Sequence, residues 1–140
     1  EIIQKIRDQG IDKNIFAHQF DYFNPDQSFR LSPNSAVVTV ASLEQIGEGF
    51  RPFVQYLLHQ KPSLCIHIEP IAELLDPKNL LDYYSVEYFK KRNYLSGFLT
   101  HLRGLEREHQ IKIHRAQRTF IGSFFIEGYS VIVWSPSKIN

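Results

Sequence analysis

The chain has 140 residues, of which 43% are hydrophobic and 14% aromatic, so it can bury a sizeable core and is neither disordered nor fibrous. Its 16 basic and 15 acidic side chains give a formal net charge of +1, which argues against a global attraction to nucleic acid or to an anionic membrane. No stretch approaches the ~18 consecutive apolar residues that a membrane span requires. Cys65, the one cysteine, lies in an apolar run and predicts a reducing, cytoplasmic location.

The first third of the chain is predicted to contain a helix and two strands. Isoleucines recur at helical spacing in Glu1–Gln9, and Gly10 is the expected C-cap. Asn14–Phe20 is predicted as a strand that ends at Asp21. After a loop, Ala36–Ala41 (AVVTVA) is a nearly unbroken β-branched run, which is typical of a strand buried on both faces.

Helices and strands alternate through the remainder. Ser42 is expected to N-cap a short helix over Leu43–Ile46. The later predicted elements are the helix Phe50–Gln60, the strand Ser63–Ile68, the helical segments Ile71–Leu75, Leu80–Lys91 and Leu95–Glu108, and the strands Gln110–Thr119 and Gly128–Trp134. This alternation predicts an α/β fold in which helices cover a parallel sheet, with the last two strands as an antiparallel hairpin at one edge.

Polar side chains follow three of the predicted strands. Asp21 ends the first strand, Ser42 follows the second, and Glu69 ends the third. In open α/β sheets, ligands bind outside the carboxyl ends of the strands. The sequence therefore predicts a ligand site where these three strand ends meet.

The sequence resembles class I, S-adenosylmethionine-dependent methyltransferases. The run AVVTVASLEQIGEGFRPFVQYLLHQKPSLCIHIEPI is similar to strand four, the following helix and strand five of that family. NIFAHQFDYF resembles strand three, and GYSVIVWSP resembles the last strand, which is inserted antiparallel between two neighbours. The resemblance implies the C-terminal half of a Rossmann-like domain over residues 1–140, without an internal boundary. Its sheet would be mostly parallel with an antiparallel C-terminal hairpin, with helices on both faces and the N-terminal strands missing.

The resemblance also implies a cofactor, S-adenosyl-L-methionine, and roles for five residues toward it. Asp21 would accept a hydrogen bond from the adenine amine, while the backbone of Tyr22 and the ring of Phe23 would frame the base. Ala41 and Ser42 would lie beside the methionine arm and the sulfonium.

On the substrate side, Glu44 and Gln45 would lie at the mouth of the site, and Glu69 would orient the acceptor or serve as a base. A tyrosine-rich insert follows Glu69 in the sequence. Tyr84 and Tyr94 from this insert would cover the acceptor as an aromatic lid; plain helix packing is the alternative explanation for these tyrosines.

The chain also departs from the family pattern. It lacks the glycine-rich turn after strand one and the strand-two carboxylate, and Gly47-Glu48-Gly49 is interpreted as a helix end because no strand precedes it. The chain contains no methionine and begins at Glu1 within a predicted helix. We therefore expect an upstream part of the gene product to be absent from this chain, which by itself should bind the cofactor weakly or not at all and should be inactive.

The predicted activity is SN2 methyl transfer to a small-molecule acceptor, achieved mainly by proximity and orientation. The alternative is a catalytically inactive methyltransferase-like domain used for interaction; an RNA-binding α/β domain is a weaker one. The six histidines are dispersed and follow no ligand spacing, so no metal site is predicted. Removing strands would expose apolar sheet edges. We therefore expect either that Asn14–Phe20 re-pairs with Ala36–Ala41 or that another chain, as in a homo-oligomer, completes the sheet.

Overall fold

A computed structural model describes residues 5–6, 8–10, 14–123 and 126–137 of the chain. Over these residues the protein has an α/β fold, with an open, mixed, four-stranded sheet and three α-helices. The strands are β1 (Ala36–Val40), β2 (Leu64–Glu69), β3 (Ile111–Gly122) and β4 (Glu127–Pro136), and the helices are α1 (Arg51–Gln60), α2 (Leu80–Arg92) and α3 (Phe98–Arg107). Two 3₁₀ turns, Leu43–Ile46 and Ala72–Leu74, follow β1 and β2.

The order of strands across the sheet is β1-β2-β4-β3. β1 runs parallel to β2, with Val38 opposite Ile66, whereas β4 runs antiparallel to β2, with Trp134 opposite Cys65. β3 and β4 pair as the predicted antiparallel hairpin, which places β4 between β2 and β3. The expectation of a mostly parallel sheet is wrong for the described strands, because the inserted β4 makes both of its pairings antiparallel.

The core lies between one face of the sheet and the helices α1 and α3. Alternation along β2 directs Cys65, His67 and Glu69 to this face, and all three are buried. The His67 ring lies 6.3 Å from the Phe53 ring of α1 and 5.0 Å from the Phe98 ring of α3. Burying each large apolar side chain contributes about 1.5–3 kcal/mol. This layer is therefore the main source of stability.

The prediction of helices on both faces is not met by the described part of the chain. Val38 and Val40 are 55% and 56% exposed, and Ile66 and Val131 on the same face are only partly buried. The physical reason is that α1 and α3 both turn their apolar sides to the His67 face. The prediction that Ala36–Ala41 is a strand buried on both faces is therefore wrong for the described part of the chain.

Helix α2 begins and ends at asparagines. The side chain of Asn79 accepts hydrogen bonds from the backbone N–H groups of Leu81 and Asp82, and Asn93 ends the helix in the left-handed conformation with φ 52°. Asp82 is buried and makes a bidentate ion pair of 2.7 Å with Arg118 on β3. This pair fixes α2 against the hairpin.

The predicted strand at Asn14–Phe20 is wrong, because the described residues there are irregular. Phe20 packs instead on the rings of Phe53 and Tyr56 at 5.8 and 5.3 Å, and His18 stacks on Phe29 at 4.3 Å. These aromatic contacts pack the segment on α1, and the segment forms no strand beside β1. The expected re-pairing of this segment with Ala36–Ala41 is therefore also wrong.

The predicted helix Glu1–Gln9 falls only in part on described residues. Lys5, Ile6 and Asp8 are helical, and the N–H of Gln9 donates to the carbonyl of Lys5 at 3.1 Å. Gly10 has φ 68°, as expected of a C-cap. The rest of the predicted helix lies outside the described residues.

Candidate functional site at the carboxyl ends of β1 and β2

The chain turns sharply where β1 ends. Ala41 has φ 49°, a left-handed conformation that is uncommon for a residue other than glycine, and its N–H donates to the carbonyl of Ile68 at 3.0 Å. This conformation directs the loop Ser42–Glu44 across the end of β2. The loop thereby meets Glu69, the last residue of that strand.

The carboxylate of Glu69 is fully buried and serves as the anchor of this loop. Its Oε1 accepts from the N–H groups of Ser42 and Leu43, both at 3.2 Å. Its Oε2 accepts from the N–H groups of Ser42 at 3.1 Å and Glu44 at 3.2 Å. Glu69 therefore supplies the N-terminal cap of the 3₁₀ turn, the task that the sequence assigned to Ser42. Its predicted role toward a substrate stays a prediction.

The Ser42 side chain makes no capping hydrogen bond and is available for a different contact. Its hydroxyl lies 3.0 Å from the hydroxyl of Tyr22, and the Tyr22 ring packs edge-on against Phe53 at 4.9 Å. Three of the predicted site residues, Tyr22, Ser42 and Glu69, are thus brought into one connected cluster. We call this cluster, together with Ala41, the rim.

Asp21 and Phe23 flank Tyr22 and are exposed. Oδ1 of Asp21 accepts from the N–H of Phe23 at 2.8 Å, which forms a local turn. The Phe23 ring covers Gly49, where an added Cβ would overlap the ring. Gly47 has φ 54° and ends the 3₁₀ turn, so its interpretation as a helix end is confirmed.

The turn that follows α2 docks next to the rim. The N–H of Ser96 donates to the carbonyl of Gly47 at 3.3 Å, and the Asn93 side chain lies against the α-carbon of Gly47, so closely that an added Cβ would be 3.1 Å from its amide nitrogen. This contact places Tyr94 beside the 3₁₀ turn that carries Glu44 and Gln45. The Gln45 amide donates to the Glu44 carboxylate at 2.9 Å.

A polar and aromatic group lies beside the rim and consists of the exposed Tyr88 and Arg92 and the half-buried Tyr94 and Glu44. The Tyr88 and Tyr94 rings are 5.8 Å apart, and the Arg92 guanidinium lies 5.7 Å from the centre of the Tyr94 ring. The hydrogen-bonding contact between the two tyrosine hydroxyls raises the pKa of Tyr88, and the negative charge of Glu44 adds to it. Arg92 and Tyr88 had not been assigned to the site from the sequence, since no motif marks them.

Replacing Tyr94 with phenylalanine is expected to lower the pKa of Tyr88 toward its ordinary value of 10.0, because the neighbouring hydroxyl is removed. Ultraviolet or NMR titration of the tyrosines measures the change. Tyr83→Phe is the matched control, because the exposed Tyr83 ring contacts Tyr84 and is not paired with Tyr94 or Tyr88 among the described ring contacts. An unchanged Tyr88 titration in Tyr94→Phe would show that the two hydroxyls do not interact.

Tyr84 lies outside this group. Its ring packs on Tyr83 at 5.9 Å and lines a groove of about 520 Å³ together with Tyr88, Lys91 and Ile126. The structure therefore places Glu44, with its hydrogen-bonded neighbour Gln45, near Tyr88 and Arg92 beside Tyr94, and places Tyr84 elsewhere on α2. Its predicted contact with a substrate stays a prediction.

A buried polar network lies beneath the rim. The indole N–H of Trp134 donates to Nε2 of His67 at 2.9 Å, and Nδ1 of His67 lies 2.9 Å from the Thr39 hydroxyl. Because Nε2 accepts, the ring proton sits on Nδ1 and is donated to Thr39. Burial lowers the pKa of His67 from 6.5 to about 3, so the ring is neutral. His67 is thus a hydrogen-bonded core residue.

An apolar groove of about 320 Å³ runs along the outer side of β1. Its walls include Phe16, Phe20, Tyr22, Phe29 and Leu31, and its floor includes Val38. Tyr22 belongs both to this groove and to the rim. A flat, mostly apolar group held in the groove would therefore lie next to Ser42.

Comparisons of the chain with protein-family models, with curated proteins and with solved structures found no match. In the described part of the chain, no group of three or more His, Cys, Asp or Glu residues has the geometry of a metal site. The described helices also include none that is both long and apolar enough to cross a bilayer. Function is therefore inferred from the chemistry of the rim and from the sheet topology.

Proposed function

We propose that the chain is the C-terminal half of a Rossmann-like domain that transfers a methyl group from S-adenosylmethionine to a small-molecule acceptor. The observation that carries the proposal is the grouping of Tyr22, Ser42 and Glu69 at the carboxyl ends of two parallel strands. The position of β4, antiparallel between β2 and β3, supports it, since the resemblance implies this arrangement for the last strand.

The residues present are suited to the adenine and methionine ends of the cofactor. Asp21 is exposed and, within the described residues, only its Oδ1 accepts a hydrogen bond, so Oδ2 is available to an adenine amine. The exposed Phe23 ring offers a stacking surface beside it. Ala41 and Ser42 would lie along the methionine arm. The sequence carries no glycine-rich turn for the remainder of the cofactor.

Methyl transfer requires little acid–base chemistry from the protein. S-adenosylmethionine, when bound, would supply a methyl group on a sulfonium, which is a good leaving group. The chain would contribute alignment and a water-poor surface. Glu69 acts here as a positioning residue, because both of its oxygens hold the loop Ser42–Glu44. Glu44, Gln45, Arg92 and Tyr94 would contact the acceptor.

The test is calorimetric titration of S-adenosylhomocysteine into the natural polypeptide that contains this sequence. Replacing Asp21 with alanine is expected to weaken binding about 10-fold or more, because a hydrogen bond to a charged group is lost. Asp26 is the matched control: it is also exposed, and its Oδ1 accepts from the N–H of Ser28 at 2.8 Å, the same turn that Asp21 forms with Phe23. Asp26→Ala should bind as tightly as the unchanged protein.

Two results would contradict the proposal. Absence of binding to the natural polypeptide would reject the cofactor assignment and favour the alternative function, an inactive methyltransferase-like domain used for interaction. Equal losses in Asp21→Ala and Asp26→Ala would show that the adenine does not lie at Asp21. The acceptor site, the cytoplasmic location and the absence of a nucleic-acid partner remain predictions.

A further inference from the structure

A groove of about 680 Å³ lies at the end of the sheet opposite the rim, where β1, β2 and β3 begin and β4 ends. The polar side chains that line it include two lysines and three serines, Lys61, Lys112, Ser63, Ser135 and Ser137. We call it the basic groove. Because the rim uses the carboxyl ends of β1 and β2, the two sites are separate.

The charged side chains of the basic groove are all positive. Lys61 and Lys112 are exposed, and none of the described residues that line the groove is acidic. In the described part of the chain, neither ammonium group lies within ion-pair distance of a carboxylate. The sequence gives the reason, since no Asp or Glu occurs in the segments 31–43, 61–68, 109–123 and 128–140, which supply all of the walls. Such a groove attracts anions.

One nearby group opposes this attraction. Helix α1 ends at Gln60, and the C-terminal end of a helix carries about half a unit of negative charge. The two ammonium groups outweigh that partial charge. The net field in the groove is therefore positive.

The walls also supply hydrogen-bond donors. Among the described residues, the hydroxyls of Ser63 and Ser137 have no hydrogen-bond partner. Lys112 is directly opposite Ser135 in the pairing of β3 with β4, and Nε2 of His114 lies 2.8 Å from the Ser135 hydroxyl. Hydroxyl and ammonium groups both donate to oxyanions. The groove can therefore offer both charge and directed hydrogen bonds.

The backbone of these walls is fixed. The N–H of Ser63 donates to the carbonyl of Ser35 at 2.8 Å. The N–H of Ser137 donates to the carbonyl of Gln110, also at 2.8 Å. The wall segments contain three prolines, whose rings restrict φ: Pro33, Pro62 and Pro136. A ligand that enters the groove therefore has little backbone to order, which favours binding.

We propose that the basic groove binds a phosphate group between Lys61 and Lys112. A phosphate group carries up to two negative charges and at least three acceptor oxygens, which match two cations and three hydroxyls better than a carboxylate does. The volume lies in the range of small-molecule sites, and the proline rings add apolar surface, so an attached organic group also fits. The proposal is independent of methyl transfer.

NMR titration of the natural polypeptide that contains this sequence tests the proposal. Inorganic phosphate and glycerol phosphate are added from micromolar to millimolar concentration at constant ionic strength. Both are expected to give saturable shifts of the backbone amide signals of Ser63 and Ser137, whereas sodium chloride is not. Tighter binding of glycerol phosphate would assign the site to a phosphate carried by an organic group, and equal binding would assign it to free phosphate.

Lysine variants test the contacts. Lys61→Gln and Lys112→Gln are each expected to weaken phosphate binding about 5-fold or more, the effect of one pair of unit charges about 4 Å apart in water. Lys78→Gln is the matched control, because it removes the same charge from an exposed position outside the groove, and it should bind as tightly as the unchanged protein. Circular dichroism verifies that all three variants fold.

The absence of saturable shifts at Ser63 and Ser137 overturns the proposal. Equal weakening by Lys112→Gln and Lys78→Gln overturns it as well, because that result would show only a general attraction of phosphate to a positively charged surface.

Discussion

Replacing Glu69 with alanine is expected to lower the free energy of unfolding by about 3 kcal/mol or more. The reason is that the backbone N–H groups of Ser42, Leu43 and Glu44 all donate to this one buried carboxylate. Each donor left without a partner costs about 1–3 kcal/mol, less where water can reach it. Denaturant unfolding monitored by circular dichroism gives the value.

Glu69→Gln removes one of the two carboxylate oxygens as an acceptor and keeps the other. The amide keeps one acceptor but turns an NH₂ group toward backbone donors, so an intermediate loss is expected. Glu87→Gln is the control: this carboxylate is exposed and pairs with Lys90 at 2.8 Å on the surface, where solvent screening leaves such pairs little effect on stability. If Glu69→Ala cost no more than Glu87→Gln, Glu69 would not be the anchor of the loop.

Acidification from pH 6.5 to about pH 4 is expected to remove about 3 kcal/mol of stability through His67 alone. Burial lowers the pKa of His67 from 6.5 to about 3 in the folded protein. Between these values the unfolded chain takes up a proton that the folded chain does not, so stability falls as the pH falls. Protonation in the fold would also break the hydrogen bond from Trp134 to Nε2.

The measurement is the free energy of unfolding at several pH values for the unchanged protein and for His67→Gln, which has no titrating ring. His101, whose pKa burial also lowers, contributes in the same direction in both proteins, so the difference between them isolates His67. His59→Gln, a change at an exposed histidine, is the matched control. Parallel pH profiles for the unchanged protein and His67→Gln would show that His67 is not buried as a neutral group.

The elements that the sequence predicted correctly are those whose signals are local. The β-branched run at 36–41 forms β1, and the helix predicted at Leu80–Lys91 is α2, Leu80–Arg92. The predicted strand at Asn14–Phe20 was wrong because a strand must pair with the edge of another strand. The aromatic side chains of this segment pack on α1 instead. The prediction that helices cover both faces of the sheet was wrong for a similar reason, since the position of the helices depends on where α1 and α3 pack.

The candidate site also combines features that the sequence predicts with features that only the tertiary structure shows. The sequence by itself determined that polar residues follow the apolar strands, and the sheet topology brings Ser42 and Glu69 together as that rule expects. Only the tertiary structure decided that the Glu69 carboxylate holds the loop Ser42–Glu44. This contact follows from the left-handed turn at Ala41, which the residue types at that position do not predict. Arg92 likewise lies near Glu44 because Ser96 docks on Gly47, a contact between residues far apart in the chain. Local composition fixes which groups are available, whereas long-range packing fixes which of them meet.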